Sequence, residues 1–196
     1  MLKIQQGNRF AFKEWAAVCG ALATGKQSLI IRKGGIHEGR DGFRVEHPEF
    51  WLFPTQFHQD PEQLVDDARP QLETARRDRP DQGTLRISLY ATVEEAVHVT
   101  DESLLPQLAG LHILSPHVIG ERFHYRTPGL FVLPVRIYQL PKPIVLPDTP
   151  HFAGCRSWVD FPQELSTDGL DPVLSDDDHR QRMAQIRQAL AISRIV

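Results

Sequence analysis

The sequence has little cysteine and no long hydrophobic run. Its two cysteines, Cys19 and Cys155, are too few for a disulfide scaffold or a four-thiolate zinc site, and neither belongs to a Cys-x-x-Cys motif. No apolar stretch approaches the about 18 residues that a membrane-spanning helix requires, and the N-terminal residues lack the apolar segment of a secretion signal. We therefore expect a cytoplasmic protein with two free thiols and no membrane association.

An excess of positive charge is also missing. The 22 lysines and arginines are outnumbered by 25 aspartates and glutamates, which gives a formal net charge of -3. This balance excludes a domain that is basic all over, as proteins that coat nucleic acid often are, but it leaves room for a local basic patch. The hydrophobic fraction of 41% excludes a disordered chain, and the length of 196 residues is typical of one compact domain.

Hydrophobic periodicity predicts an α/β protein. Apolar residues at spacings of three and four predict a helix over residues 12–22, with Lys13 and Glu14 at the edge of its apolar face. The predicted strands lie near residues 28–32, 50–53, 84–90 and 130–140, and the further helices over residues 117–124 and after Ser175. We expect a single α/β domain with a mixed or antiparallel sheet flanked by helices. Residues 1–165 would form its body and residues 166–196 a C-terminal helix docked on it.

The loop from Arg32 to Gln59 is unusually rich in histidine and charged residues. Imidazole and carboxylate groups suit zinc and manganese, so His37, His47 and His58 are candidate ligands of a divalent metal, with Glu38 completing or orienting the set. The histidine spacings match no standard zinc motif, and histidines that face solvent or bond the backbone are the alternative.

Acid–base catalysis could use residues of the same loop. The candidate catalytic residues are Glu14, His37, Glu38 and His58. Glu14 would act as a base or metal ligand if it faced His37, whereas an ordinary surface ion pair is the alternative for this glutamate.

The end of the strand near residues 28–32 is suited to binding a phosphate. Gly34 and Gly35 could present a concave set of backbone N–H groups, to which Arg32 and Lys33 would add positive charge. A plain turn is the alternative reading of the two glycines.

Other candidate ligand-binding residues lie elsewhere in the chain. Arg136 and Tyr138 are two residues apart on a predicted strand, so they share one face and could hold a phosphate and stack a base, or form a buried ion pair. We also expect Lys13 and Gln59 to contact a ligand held by the loop.

Several blocks of this sequence resemble a known bacterial family. They read Phe-Lys-Glu-Trp at 12–15, Leu-Ile-Ile-Arg-Lys-Gly-Gly-Ile-His-Glu at 29–38, Phe-Pro-Thr at 53–55, His-Gln at 58–59, Val-Arg-Ile-Tyr-Gln-Leu at 135–140 and Gly-Cys-Arg-Ser-Trp-Val at 154–159. Together they resemble the domain-of-unknown-function family numbered 1802 over about residues 10 to 165. The resemblance implies an uncharacterised cytosolic domain associated with restriction-modification or other nucleic-acid systems, and it implies no established reaction.

A second resemblance is to the opening of the Nudix fold. There, a strand that contains an arginine precedes a loop and a Trp-x-x-Pro motif, and residues 31–35 and 51–54 look like these two parts. The acidic residues that follow do not form the magnesium-binding pattern of Nudix hydrolases. These residues are Glu62, Asp66, Asp67 and Glu73. The likeness implies a related topology without the catalytic motif.

Three functions are consistent with these features. The first is nucleic-acid recognition or phosphodiester chemistry in a restriction-like setting, with the loop from Arg32 to Gln59 as the site and Arg136 and Tyr138 as a second wall. The second is a noncatalytic ligand-binding or regulatory module with a Nudix-like topology. The third is metal-dependent hydrolysis of a small phosphorylated molecule.

Overall fold

The computed structural model describes residues 4–33, 45–56, 59–154 and 156–191. Eight strands and four α-helices lie in these ranges, together with four short 3-10 helices. No helix of this part of the chain is both long and apolar enough to cross a membrane. The strands are β1 Gly7–Trp15, β2 Leu29–Arg32, β3 Glu49–Thr55, β4 Thr84–Val93, β5 Val97–Val99, β6 Leu130–Pro147, β7 Trp158–Ser166 and β8 Asp171–Pro172. The helices are α1 Ala16–Ala23, α2 Arg69–Arg77, α3 Pro116–His124 and α4 Asp176–Ala189.

The strands form one mixed sheet in the order β2-β6-β4-β3-β1-β7, and β5 and β8 also pair with β6. The pair β1 and β3 is parallel, with Trp15 opposite Thr55, and the other pairs are antiparallel. The parallel strands β1 and β3 therefore end at the same edge of the sheet, where the antiparallel β4 begins. The predicted fold class, a single α/β domain with a mixed sheet flanked by helices, is confirmed.

The sheet separates two hydrophobic clusters, because successive residues of a strand point to opposite faces. On β1 and β3, Phe12 and Leu52 belong to the larger cluster, to which all four α-helices contribute buried side chains. Their neighbours Ala11 and Trp51 belong to the smaller cluster, which includes residues of β7 and of the segment before it. Both faces of the central strands are thus buried, which holds the strand ends firmly in place.

The predicted helix over residues 12–22 is wrong in its first turn, because residues 12–15 continue β1 and α1 begins only at Ala16. The spacing of Phe12 and Trp15 fits a helix, but β1 has a partner strand on each side, and these ladders bond its backbone. Lys13 and Glu14 therefore lie on opposite faces of a strand end rather than side by side on a helix edge.

Helix α4 makes apolar and charged contacts with other elements of the fold. Met183 and Ile186 are buried in the larger cluster. His179 is also buried, and its Nε2 atom lies 3.0 Å from Oε1 of Glu94, which follows β4. The hydrogen bond with His179 lowers the pKa of Glu94 below its ordinary value. A further ion pair joins Arg136 to Asp176 in the first turn of α4.

Candidate functional site

A cleft of about 840 Å³ opens at the edge of the sheet where β1, β2 and β3 end and β4 begins. Of the described residues that line it, six carry positive charge: Lys13, Arg32, Lys33, Arg79, Arg122 and Arg156. Two lining carboxylates, Asp81 and Asp148, oppose them. The cleft is therefore strongly basic, although the whole chain has a net charge of -3.

A buried carboxylate lies behind the cleft. Glu14 is only 3% exposed, and its Oε1 atom accepts a hydrogen bond of 2.7 Å from the backbone N–H of Trp15. Its Oε2 atom lies 3.9 Å from Nε of Arg32, a distance too long for a hydrogen bond but short enough for strong attraction in a buried place. The Arg32 guanidinium also donates to the carbonyl of Lys13 and lies 4.4 Å from the ring centre of Phe12. The attraction to Glu14 thus helps to fix the Arg32 guanidinium beside the C-terminal end of β1.

Arg122 reaches the cleft from α3 and stacks on Trp15. Its guanidinium carbon lies 4.7 Å from the centre of the indole ring, and its Nη1 donates to the carbonyl of Ile31 at 3.2 Å. The pKa of Arg122 is lowered to about 10, chiefly by burial; the charge of Glu14 opposes this shift, and the charge of Arg32 adds to it. Two guanidiniums thus share one buried carboxylate, so an added anion would relieve their repulsion.

The two lysines of the cleft are held by backbone carbonyls. The ammonium of Lys33 donates to the carbonyls of Phe123 at 2.9 Å, of Gly129 at 2.8 Å and of Thr127. An ammonium has three N–H donors, so these bonds use all of them, and Lys33 supplies charge rather than a hydrogen bond to a ligand. Burial lowers the pKa of Lys33.

Lys13 is held in a similar way on the opposite wall. Its ammonium donates to the carbonyl of Gly154 at 2.9 Å and to that of Phe152, and it lies 5.7 Å from the ring centre of Phe53. These contacts fix its charge between β1, β3 and the segment after β6.

Five predicted site residues lie outside the described ranges. They are Gly34, Gly35, His37, Glu38 and His58. Their proposed roles in metal binding, catalysis and phosphate binding stay predictions. No group of three or more His, Cys, Asp and Glu side chains that could hold a metal ion is found within residues 4–33, 45–56, 59–154 and 156–191.

His47 and Gln59, which are described, contact protein groups. The His47 ring stacks on Phe10 with a centroid distance of 3.6 Å and meets the edge of Trp158, and burial lowers its pKa. Gln59 is buried, and its Oε1 accepts from the N–H of Ala17 at 2.8 Å, in the first turn of α1. In these positions His47 packs against aromatic rings, and Gln59 ties the start of α1 to the segment after β3.

Arg136 and Tyr138, the predicted second wall of the site, are not among the described residues that line the cleft, and their contact with a ligand stays a prediction. Arg136 pairs with Thr92 near the end of β4, whereas the cleft lies at the start of this strand, at Thr84. The guanidinium of Arg136 lies 5.6 Å from the Tyr138 ring centre and bonds Asp176, so this pair helps to dock α4.

Sequence reasoning missed three cationic residues of the cleft: Arg79, Arg122 and Arg156. Arg122 belongs to a correctly predicted helix, but its aromatic partner Trp15 is remote in sequence, and no local pattern relates the two. Arg79 precedes a predicted strand, and Arg156 lies in the family-like sequence at residues 154–159. A count of the cationic residues near predicted strand ends was the signal that could have found them.

The chain is similar to one sequence family and to solved structures of low sequence identity. The sequence model of the family described as "Domain of unknown function (DUF1802)" matches residues 11–185. No curated protein matches the chain. The crystal structure of an ASCH mutant protein from Zymomonas mobilis is similar with a TM-score of 0.46 and 14% identity, covering 93% of this chain and 99% of that one. The crystal structure of ASCH from the same organism gives a TM-score of 0.45 and 13% identity, covering 90% and 94% of the two chains.

Proposed function

The chain belongs to the DUF1802 family of domains of unknown function, and we propose that it binds single-stranded nucleic acid in the cleft at the ends of β1, β2 and β3. The observation that carries this proposal is the concentration of cationic side chains in one cleft of a chain that is negative overall. Clefts of one charge sign focus the electrostatic field and attract ligands of the opposite sign. A polyanion is the ligand that such a cleft favours.

The form of the cleft favours a single strand. Its volume of about 840 Å³ lies in the range of ligand pockets, which admits a few flexible nucleotides but not a rigid duplex. Trp15 and the Arg122 guanidinium stacked on it offer flat surfaces beside the positive charges. Stacking surfaces combined with a basic groove are typical of proteins that bind single strands.

The two lysines of the cleft and the two arginines at its rim differ in their contacts. Lys13 and Lys33 are engaged by backbone carbonyls and would act mainly through their charge. Arg79 and Arg156 are exposed at the rim, where an incoming phosphate would meet them first, and Arg156 also donates one hydrogen bond to the carbonyl of His151. Cleavage of the strand by His37 and His58 stays a separate prediction, because both residues lie outside the described ranges.

Replacement of either Arg79 or Arg156 alone by glutamine is expected to weaken binding and to reduce its dependence on salt. Each phosphate contact that is lost should reduce the slope of log K against log salt by about 0.7, because fewer counterions are released on binding. Fluorescence anisotropy with a labelled oligonucleotide of about ten nucleotides, titrated at several salt concentrations, measures both quantities.

Arg180→Gln is the matched control for these variants. Arg180 is an exposed arginine of α4 that pairs with Asp177 and does not line the cleft, so its removal changes the net charge equally without touching the site. The proposal is rejected if wild-type binding is absent or independent of salt, or if the rim variants and the control behave alike.

A further inference from the structure

A second pocket lies beside the basic cleft, between α1, α2 and the sheet. It has a volume of about 430 Å³, and Ala16 and Gly20 of α1 and Leu52 and Leu89 of the sheet are among its apolar lining residues. Three glutamine amides also line it, those of Gln56, Gln71 and Gln139. An apolar pocket with a few amide groups suits an uncharged flat ligand that carries both donors and acceptors.

The amide oxygen of Gln71 has no hydrogen-bond partner among the residues that the structure describes. This Oε1 atom is buried, although the residue as a whole is partly exposed. A buried acceptor without a donor is costly and uncommon in native proteins, so such an atom calls for an explanation. An N–H donor of a ligand bound in the pocket would satisfy it.

Close packing does not require a glycine at Gly20, in the middle of α1. A Cβ atom at Gly20 would meet the Cβ of Gln71 at 4.0 Å, which is an ordinary contact. Glycine inside a helix is unfavourable relative to alanine, and here no close approach of the backbone compensates for it. The effect of this glycine is to leave the pocket open on the α1 side.

The pocket and the basic cleft share a wall. Pro54, Gln56 and Pro80 line both of them, so a ligand can reach from one into the other around these residues. The two sites differ in charge, because Arg86 and Asp78 are the charged residues among the described lining of the pocket, whereas the cleft is strongly basic. Adjacent sites for an uncharged flat group and for an anion match the two halves of a nucleotide.

We propose that the pocket between α1 and α2 receives a nucleobase while the phosphate attached to it lies in the basic cleft. This assignment rests on the proposed function and adds that one base of the bound strand leaves the stack and is held by the protein. The unpartnered Gln71 oxygen accepts from a ring or exocyclic N–H of the base, and the apolar lining contacts the faces of the base.

Gly20→Leu tests the assignment because the new side chain fills the pocket and also favours the helix. We expect this variant to bind the oligonucleotide about tenfold more weakly, which corresponds to about 1.4 kcal/mol. The matched control is Gly120→Leu, the same change inside α3, where a Cβ meets nothing within 4 Å and neither site is touched. Thermal unfolding of both variants shows whether each is folded, and Gln71→Leu provides a second test that removes only the acceptor.

An oligonucleotide of abasic sites separates this inference from the proposed function. Wild-type protein should bind it at least as weakly as Gly20→Leu binds the normal strand, because an abasic strand loses the base in the pocket and also any stacking on Trp15. Gly20→Leu should discriminate between the two strands less than wild type does. Equal binding of normal and abasic strands by wild-type protein, with no effect of Gly20→Leu or Gln71→Leu, overturns the base pocket and leaves the cleft proposal standing. Failure of wild-type protein to bind either strand overturns both.

Nucleoside monophosphates distinguish the two sources of such a ligand. Weak binding of the monomer and tight binding of the strand, both reduced by Gly20→Leu, assign the pocket to a base within a polynucleotide. Equally tight binding of the monomer, reduced in the same way, retains the base pocket and assigns it to a free nucleotide, which rejects the strand as the ligand.

Discussion

Glu14→Ala is expected to lower the free energy of unfolding by about 3 to 5 kcal/mol, the usual cost of removing one partner from a buried charge cluster. The wild-type carboxylate is buried, accepts from the N–H of Trp15 and faces the guanidinium of Arg32. Without it, Arg32 and Arg122 would be left near each other with no buried negative charge. Denaturation with urea measures the loss from the shift in midpoint and the slope.

Glu14→Gln separates the charge from the hydrogen bond. The amide oxygen can still accept from the N–H of Trp15, so this variant should lose less stability than Glu14→Ala. It also removes a negative charge from behind the cleft, and it should therefore bind an oligonucleotide more tightly than wild type at low salt. A loss below about 1 kcal/mol in Glu14→Ala would mean that solvent already screens the two arginines, contrary to the burial described above.

Acidification from pH 6.5 to pH 4 is expected to remove about 3 kcal/mol of stability through His112 alone. Burial, with the nearby charge of Arg122, lowers the pKa of His112 to about 4, whereas an unfolded histidine titrates near 6.5. Between these two values the unfolded chain binds the extra proton, so stability falls as the pH is lowered, by about 1.4 kcal/mol per pH unit. In the folded state Nδ1 of His112 accepts from the N–H of Leu114 at 3.1 Å, and protonation would break this bond.

His112→Asn is the control for this pH dependence. An asparagine oxygen can accept from the N–H two residues later, so the turn keeps its bond but loses the titrating group. His112→Asn should still lose some stability at lower pH, in part through Glu94. The pKa of Glu94 is lowered in the folded state, so its ionised form stabilises the fold above its ordinary pKa, and this stabilisation is lost as the pH falls. If wild type and His112→Asn lose the same stability between pH 6.5 and pH 4, the role of His112 is disproved.

The parts of the fold that depend on local chemistry could be predicted from the sequence. Ser115 and Ser175 accept hydrogen bonds from backbone N–H groups in the first turns of α3 and α4, and both helices begin where these caps predicted. The start of α1 could not be placed, because the backbone partners of residues 12–15 lie in β3 and β7, far along the chain. The spacing of residues 12–15 fits a helix, but their pairing with two strands decides their structure. Hydrophobic periodicity does not reveal such remote strand partners.

The candidate site could be predicted only in part for the same reason. The sequence singled out Arg32 and Lys33 because they lie at a predicted strand end, and Lys13 because it lies in the family-like sequence at residues 12–15. All three line the cleft. The position of Arg136 relative to the cleft could not be predicted, because sharing a strand face with Tyr138 does not say which part of the sheet a residue occupies. The stack of Arg122 on Trp15 depends on a tertiary contact that no spacing encodes.

The pairing of β2 with β6 has a consequence for synthesis of the chain. Leu29 lies opposite Pro134, so β2 cannot enter its ladder until about two thirds of the sequence has been made. At about 5–20 residues per second, the ribosome needs on the order of ten seconds to supply that partner. During this interval Ile30 and Ile31, which are buried in the finished protein, face solvent in a nascent polypeptide. Chaperones recognise such transiently exposed apolar segments, so yield in a cell should depend on their supply more than the final stability alone would suggest.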